Sequence, residues 1–182
     1  MEEIRMKENT AGGELIDGVR YEAEKPELLH QQLCFGIGRQ LVNYAEENKE
    51  ACFVLPFPVR VKMNGEENTV LQPDLSLVFD PRKLCSSGIN GAPDLVVEVI
   101  APETAWRDRF TKLAKYMNGG VREYWIVDGA AGTVIVYERE ALVIPMTYTF
   151  DDKVPVGVLG RACRIDFQRI YKRILPFEEY SF

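Results

Sequence analysis

Residues 28–50 repeat their apolar positions with the period of an α-helix. Successive apolar residues are three or four positions apart, at Leu29, Leu33, Ile37, Leu41 and Tyr44. That spacing predicts a helix with one buried face. Gly36 and Gly38 lie inside the stretch and weaken the prediction, because glycine costs backbone entropy in a helix.

A second helix is predicted over residues 103–118. Its apolar stripe consists of Phe110, Leu113, Ala114 and Met117, extended backwards by Trp106. Asn118-Gly119-Gly120 would end it, because glycine favours the backbone conformation of a helix C-cap. On a helical wheel Asp108, Lys112 and Tyr116 share a face roughly opposite that stripe.

Apolar runs between turn residues predict strands over 52–63, 70–79, 94–100, 123–128, 133–139 and 141–150. Residues 13–26 predict a hairpin around Asp17-Gly18. The Ser-, Asn- and Gly-rich stretch 80–91 predicts a loop, and a helix is expected from residue 164 onward. Strands grouped before a crossover helix indicate an α/β fold with a mixed β-sheet flanked by helices.

The length of 182 residues favours a single domain over 14–182, after a polar, flexible tail at 1–13. The four cysteines are scattered and lack metal-ligand spacing, which is typical of reduced thiols in a cytosol. The sequence shows no signal peptide and no apolar run of membrane-spanning length. We therefore expect a cytoplasmic protein with no membrane partner. The net charge of −6 argues against tight non-specific binding of nucleic acid, although it allows a local basic patch.

Carboxylates are the chemically informative residues of the chain. Two Pro-Asp pairs, Pro73-Asp74 and Pro93-Asp94, open predicted strands. Alternation along a strand places Asp94 and Glu98 on one face, with Glu98 in the middle of an apolar run. A carboxylate there needs a partner because its desolvation is costly. Spacing alone leaves two partners open, a Mg²⁺-type cation or a lysine or arginine in a buried ion pair.

The segments LQPDLSLVFDPRKL and GAPDLVVEVIAPETAWRDRFTKLAKYMNGGVREYWIVD, together with GELIDG and His30, resemble small bacterial proteins of the PD-(D/E)-x-K nuclease superfamily. The resemblance spans residues 14 to about 140. It implies a restriction-endonuclease-like core with an extra N-terminal hairpin and extra C-terminal strands.

The resemblance also implies a set of site residues. Asp74 and Glu98 would be catalytic ligands of Mg²⁺ or Mn²⁺, and Asp94 matches an additional metal-binding acid. The superfamily lysine two positions after the glutamate is Ile100 here, which departs from the pattern. In this branch a lysine on the next helix substitutes, and the matching residue is Lys112.

Several residues keep two interpretations. Lys112 either pairs with Asp108 on a solvated helix face or reaches over the site. Arg107, Arg109, Lys112 and Lys115 form either a phosphate-facing patch or an ordinary solvated face, and Lys115 is the next candidate if Lys112 fails. His30, the single histidine, is a local hydrogen-bonding group or a contact to water or phosphate. Glu14 and Asp17 could approach the cluster from the hairpin, although Asp17 is explained as a turn residue.

The function predicted on this basis is a metal-dependent endonuclease that hydrolyses DNA with a metal-activated water. The alternative is a non-catalytic interaction or regulatory protein that retains the nuclease fold. The net charge and Ile100 favour that alternative. Homodimers are common among soluble proteins, so a homodimer is also expected.

Overall fold

A computed structural model describes residues 13–22, 26–63, 68–101, 105–140 and 144–173. The predicted tail lies outside these ranges except for Gly13. So do the first residues of the predicted helix 103–118 and the start of the predicted strand 141–150. No helix in the described residues is long and apolar enough to cross a membrane.

A mixed sheet of six strands runs through the centre of the described chain. In sequence order its strands are β3 (Phe53–Pro56), β5 (Leu75–Val78), β8 (Leu95–Ile100), β9 (Glu123–Asp128), β10 (Thr133–Glu138) and β11 (Met146–Thr149). The spatial order is β11-β10-β9-β8-β5-β3. β8 and β9 are parallel and the other neighbours are antiparallel. The parallel pair follows from the helical crossover between its strands, since parallel neighbours cannot be joined by a tight turn.

One face of the sheet is covered by α1 (Leu28–Asn48), α3 (Phe167–Tyr171) and a small hairpin of β12 (Lys153–Pro155) and β13 (Arg164–Asp166). The glycines of α1 let this layer pack closely. A Cβ at Gly36 would lie 2.7 Å from the side chain of Ile170, and one at Gly38 would lie 2.9 Å from Leu75. The glycines that weakened the helix prediction are therefore positions of close approach between helix and neighbour.

The other face carries the N-terminal hairpin, β1 (Gly13–Ile16) with β2 (Val19–Glu22), and a three-stranded sheet of β4 (Val61–Lys62), β6 (Leu84–Cys85) and β7 (Gly88–Asn90). A π-helical segment (Arg107–Lys112) continues into α2 (Leu113–Gly119) on the same face. Tyr116 and Tyr124 are completely buried between this layer and the central sheet.

The structure corrects several predicted elements. The predicted loop 80–91 contains β6 and β7, because Ile89 supplies a buried apolar side chain between its turn residues. The predicted strand 52–63 divides into β3 and β4 around its prolines, which cannot donate to a sheet. The helix expected from residue 164 begins only at Phe167, after β13 and an Asp166 N-cap.

Candidate active site and metal centre

Asp74 lies beside Glu98 because β5 and β8 are antiparallel neighbours. Leu75 pairs with Val97, so the residue before β5 stands level with Glu98 on β8. The Asp74 carboxylate is held on both oxygens. Its Oδ2 accepts a hydrogen bond from the Val99 backbone N–H at 2.7 Å, and its Oδ1 lies 3.0 Å from His30 Nε2. The first pair of predicted metal ligands is thus brought together at the end of β8.

His30 is bonded to a residue 44 positions away rather than to its own helix turn. This corrects the interpretation of His30 as a local hydrogen-bonding group. Burial lowers the pKa of His30, but the hydrogen bond and charge of Asp74 outweigh it and raise the pKa. Imidazole and carboxylate therefore hold each other in place at the start of α1.

Lys112 lies at the centre of an acidic cluster. Its Nζ is 2.9 Å from Glu14 Oε1, 3.0 Å from Asp108 Oδ1 and 3.2 Å from Glu98 Oε1, and its side chain is only 6% exposed. These acids come from β1, the π-helical segment and β8. Burial lowers the pKa of Lys112, yet the surrounding carboxylates raise it above its usual value. Lys112 is accordingly a buried, protonated ammonium group.

The helix therefore buries the Asp108–Lys112–Tyr116 face, while Leu113 and Met117 of the predicted apolar stripe are partly buried against the core. Lys112 and Asp108 are buried, whereas Trp106 is 70% exposed and Phe110 is 57% exposed. The two aromatic rings contact each other with centroids 5.5 Å apart. An ion pair between Asp108 and Lys112 was one of the two interpretations of Lys112, and the pair is present. The predicted solvent exposure of that pair is wrong, because both side chains are buried among other acids.

Glu98 is almost completely buried at 3% exposure. Its Oε1 accepts hydrogen bonds from Lys112 Nζ and from the Tyr116 hydroxyl, each at 3.2 Å. Burial raises the pKa of Glu98 well above its ordinary value; Lys112 opposes this, and the charges of Asp108, Asp74 and Glu14 add to it. Lys112 thus does not offset the combined effect of burial and of these charges on Glu98.

Asp94 does not join this group. It immediately precedes β8, four residues before Glu98 and roughly 13 Å away at the rise of an extended chain. Its Oδ2 accepts from the Phe79 N–H at 2.9 Å, and its Oδ1 is 3.4 Å from Arg122 Nη1. Asp94 therefore connects the ends of neighbouring strands at the opposite end of the sheet from Asp74, which argues against its predicted role as a metal ligand.

The predicted basic patch is not a row of unpaired cations. Arg109 bonds Asp128 at 3.0 Å, and Lys115 bonds Asp17 at 2.6 Å. Arg107 lies over the ring of Tyr21, with its guanidinium 3.9 Å from the Glu14 carboxylate. Lys115 is thus tied to the turn residue of the β1–β2 hairpin.

The expectation that Glu14 approaches the cluster from the hairpin is confirmed. Sequence reasoning missed two other residues around the site. Tyr116 was recognised only as a member of the Asp108–Lys112 face. Cys34 was dismissed for lack of metal-ligand spacing among cysteines, although it lies one helical turn after His30. The i, i+4 relation between His30 and Cys34 was the signal that could have found it.

The donor set fits a hard divalent cation. The carboxylates of Glu14, Asp74 and Asp108 act electrostatically on Glu98, and the Lys112 ammonium opposes them. Mg²⁺ and Mn²⁺ prefer such oxygen ligands. A cation beside Asp74 and Glu98 would offset the part of these effects that Lys112 does not.

Comparison with known proteins was made on sequence and on structure. A family model named Uma2 and described as "Putative restriction endonuclease" matches residues 4–161. A search of curated proteins finds no match. Among solved structures, the chain is similar to a "putative nuclease belonging to DUF820 from Anabaena variabilis", with a TM-score of 0.72 and 17% identity over 88% of this chain and 89% of that chain. These matches confirm the predicted superfamily resemblance and the α/β, nuclease-like fold.

Proposed function

The chain belongs to the Uma2 family of "Putative restriction endonuclease" proteins, and we propose that it is a metal-dependent endonuclease that hydrolyses phosphodiester bonds in DNA. One observation carries the proposal. Asp74, Glu98 and Lys112 meet at one end of the central sheet although the chain separates them widely. Two acids that can hold a metal ion and a fixed cation beside them are groups that promote hydrolysis of a phosphodiester.

Asp74 and Glu98 are the proposed ligands of Mg²⁺ or Mn²⁺. When bound, such an ion lowers the pKa of a coordinated water and withdraws negative charge from a phosphate. The chain itself orients the ligands. Val99 N–H and His30 fix the Asp74 carboxylate, and the Tyr116 hydroxyl and Lys112 fix one oxygen of Glu98.

Lys112 takes the place of the superfamily lysine that Ile100 does not provide. Its charge is held beside Glu98 by Glu14 and Asp108, which restrict its long side chain to one position. A fixed ammonium group there would stabilise the charge that develops on a phosphate oxygen or orient the attacking water. Because its surroundings raise its pKa, Lys112 acts as a permanent cation and not as a base.

The proposed substrate is DNA, bound through few phosphate contacts. The chain carries a net charge of −6 and its cations near the site are paired with acids. Affinity should therefore fall only gently as salt rises. A homodimer would present one such site to each strand of a duplex, so a homodimer belongs to the proposal. A cytoplasmic location agrees with cysteines that are all unpaired.

The test is cleavage of plasmid and single-stranded DNA with Mg²⁺ or Mn²⁺. We expect activity that EDTA abolishes and that Glu98→Gln lowers by about 100-fold or more, since a catalytic cation contributes several kcal/mol. Glu138→Gln is the matched control, because Glu138 lies on β10 of the same sheet and pairs with Arg161. Its activity should equal that of the wild type.

A wild-type protein that binds Mn²⁺ without cleaving either DNA would favour the non-catalytic alternative. Full activity in Glu98→Gln would reject the assignment of Glu98 as a metal ligand.

A further inference from the structure

A second group of metal-ligating side chains lies on the α1 side of Asp74. His30 and Cys34 are four positions apart on α1, so they share one helix face. One ligand atom each from His30, Cys34 and Asp74 lie within 4.8 Å of one another. His30 and Asp74 are partly exposed, which leaves an approach from solvent.

The chemistry of this group differs from that of the Asp74–Glu98 pair. Imidazole and thiolate are ligands of Zn²⁺ and other transition metals, whereas Mg²⁺ takes oxygen. Bonds of about 2.0–2.3 Å from Zn²⁺ to N, O and S donors separate the donors by roughly 3.5 Å in a tetrahedral site. His30 Nε2 and Asp74 Oδ1 are 3.0 Å apart in a hydrogen bond, so they would move slightly apart to bind the ion. Small side-chain rotations would close the site.

We propose that His30, Cys34 and Asp74 form a binding site for a thiophilic divalent cation of the Zn²⁺ type, and that this ion inhibits the hydrolytic site by taking Asp74. The inhibition, but not the binding, rests on the proposed nuclease function. Asp74 Oδ2 is engaged by the Val99 N–H, so Oδ1 is the oxygen that both ions would use. Three protein ligands leave the fourth position of the ion to water.

Binding is tested with Co²⁺ as a spectroscopic probe. The wild type should develop a thiolate-to-cobalt charge-transfer band that Zn²⁺ displaces and that a large excess of Mg²⁺ does not. Cys34→Ser should lose the band. Cys85→Ser should keep it, because Cys85 is an exposed thiol bonded to Ser87. A wild-type protein without the band overturns the proposal whether or not the variants fold.

Inhibition is tested by titrating Zn²⁺ into the cleavage reaction at fixed Mg²⁺. Cys34→Ser should need at least about 10-fold more Zn²⁺ for half inhibition than the wild type or Cys85→Ser, because it lacks the thiolate ligand. Equal sensitivity would overturn the inhibitory role. If the wild type does not cleave DNA, the proposed function fails, and the cobalt band still decides the site separately.

Discussion

The two Pro-Asp pairs of this chain have the same sequence but different surroundings in the fold. Asp74 precedes β5 and Asp94 precedes β8. Because these strands are antiparallel, their starting residues lie at opposite ends of the sheet. Asp74 lies beside Glu98 and the buried acids, whereas the Asp94 carboxylate accepts hydrogen bonds from the Phe79 N–H and from Arg122. An identical dipeptide thus gives a candidate catalytic ligand in one place and a structural tie in the other.

The difference between the two ends is one of charge balance. At the Asp74 end, several carboxylates surround a lysine that is 6% exposed. At the Asp94 end, Arg122 is 52% exposed and Phe79 N–H supplies a neutral donor. Surplus buried negative charge calls for a cation, while a solvated pair does not. The predictions below separate the two ends by stability, by catalysis and by pH.

The largest contrast is expected between their cations. Lys112→Met should lower the free energy of unfolding by about 3–5 kcal/mol, because it leaves buried carboxylates without their partner. Arg122→Met should change it by less than about 1 kcal/mol, because an exposed pair contributes little. Denaturant unfolding of both variants measures the difference. Equal losses would mean that the two ends do not differ in charge balance.

Lys112→Met should also lose DNA cleavage if Lys112 has the proposed role. The cleavage assay is run on the fraction that remains folded, at a temperature below its unfolding transition. Wild-type rates in Lys112→Met would reject the substituted lysine.

The acids themselves give the next contrast. Asp74→Asn should lower metal-dependent cleavage by about 100-fold, roughly 2.7 kcal/mol of transition-state stabilisation. Asp94→Asn should retain wild-type cleavage, since an amide oxygen can still accept from Phe79. Cleavage rates at saturating Mn²⁺ distinguish them, and loss of activity in both would restore Asp94 to the site.

Stability should change in the opposite sense at the two positions. Asp94→Ala leaves the Phe79 N–H without its acceptor and should lower the free energy of unfolding by about 1–3 kcal/mol. Asp74→Asn removes a charge that repels Glu98, so the metal-free variant should melt at or above the wild-type temperature. Asp74→Asn should also lose most of the stabilisation that Mn²⁺ gives the wild type. A strongly destabilised Asp74→Asn with an unchanged Mn²⁺ response would reject the metal site.

The smallest effect concerns pH and belongs to the Asp74 end alone. The pKa of Glu98 is raised in the folded protein. Between the unfolded pKa of about 4.5 and this raised pKa, the folded state therefore binds a proton that the unfolded state has released. The stability that this proton gives the fold is fully present below the unfolded pKa and is lost as pH rises through the raised pKa. The slope is at most about 1.4 kcal/mol per pH unit for one proton.

The metal-free wild type should therefore lose stability with rising pH more steeply than Glu98→Gln. Added Mn²⁺ should reverse the trend, because the metal requires the carboxylate form. Unfolding free energies from pH 4 to 8, with EDTA and with Mn²⁺, give both slopes. Parallel curves for the two proteins would show that Glu98 binds no extra proton in the fold.

Local patterns determined much of the architecture. The helical period of residues 28–50 gave α1, and the apolar run around Glu98 gave a buried strand with one acid at its centre. These two features are readable because periodicity and strand alternation depend on neighbours in sequence. The superfamily, and the pairing of Asp74 with Glu98, came from the resemblance to known nucleases and not from these patterns.

Tertiary structure decided which of these residues meet. Strand direction separates Asp94 from Asp74, and no local pattern encodes the direction of a neighbouring strand. Acids from three separate elements draw Lys112 inward and turn Phe110 to solvent, against the orientation that hydrophobicity predicts. His30 forms a hydrogen bond with Asp74, which is 44 positions away in the sequence. Each outcome depends on a non-local electrostatic contact that outweighs local preference, and such contacts exist only once the chain has folded.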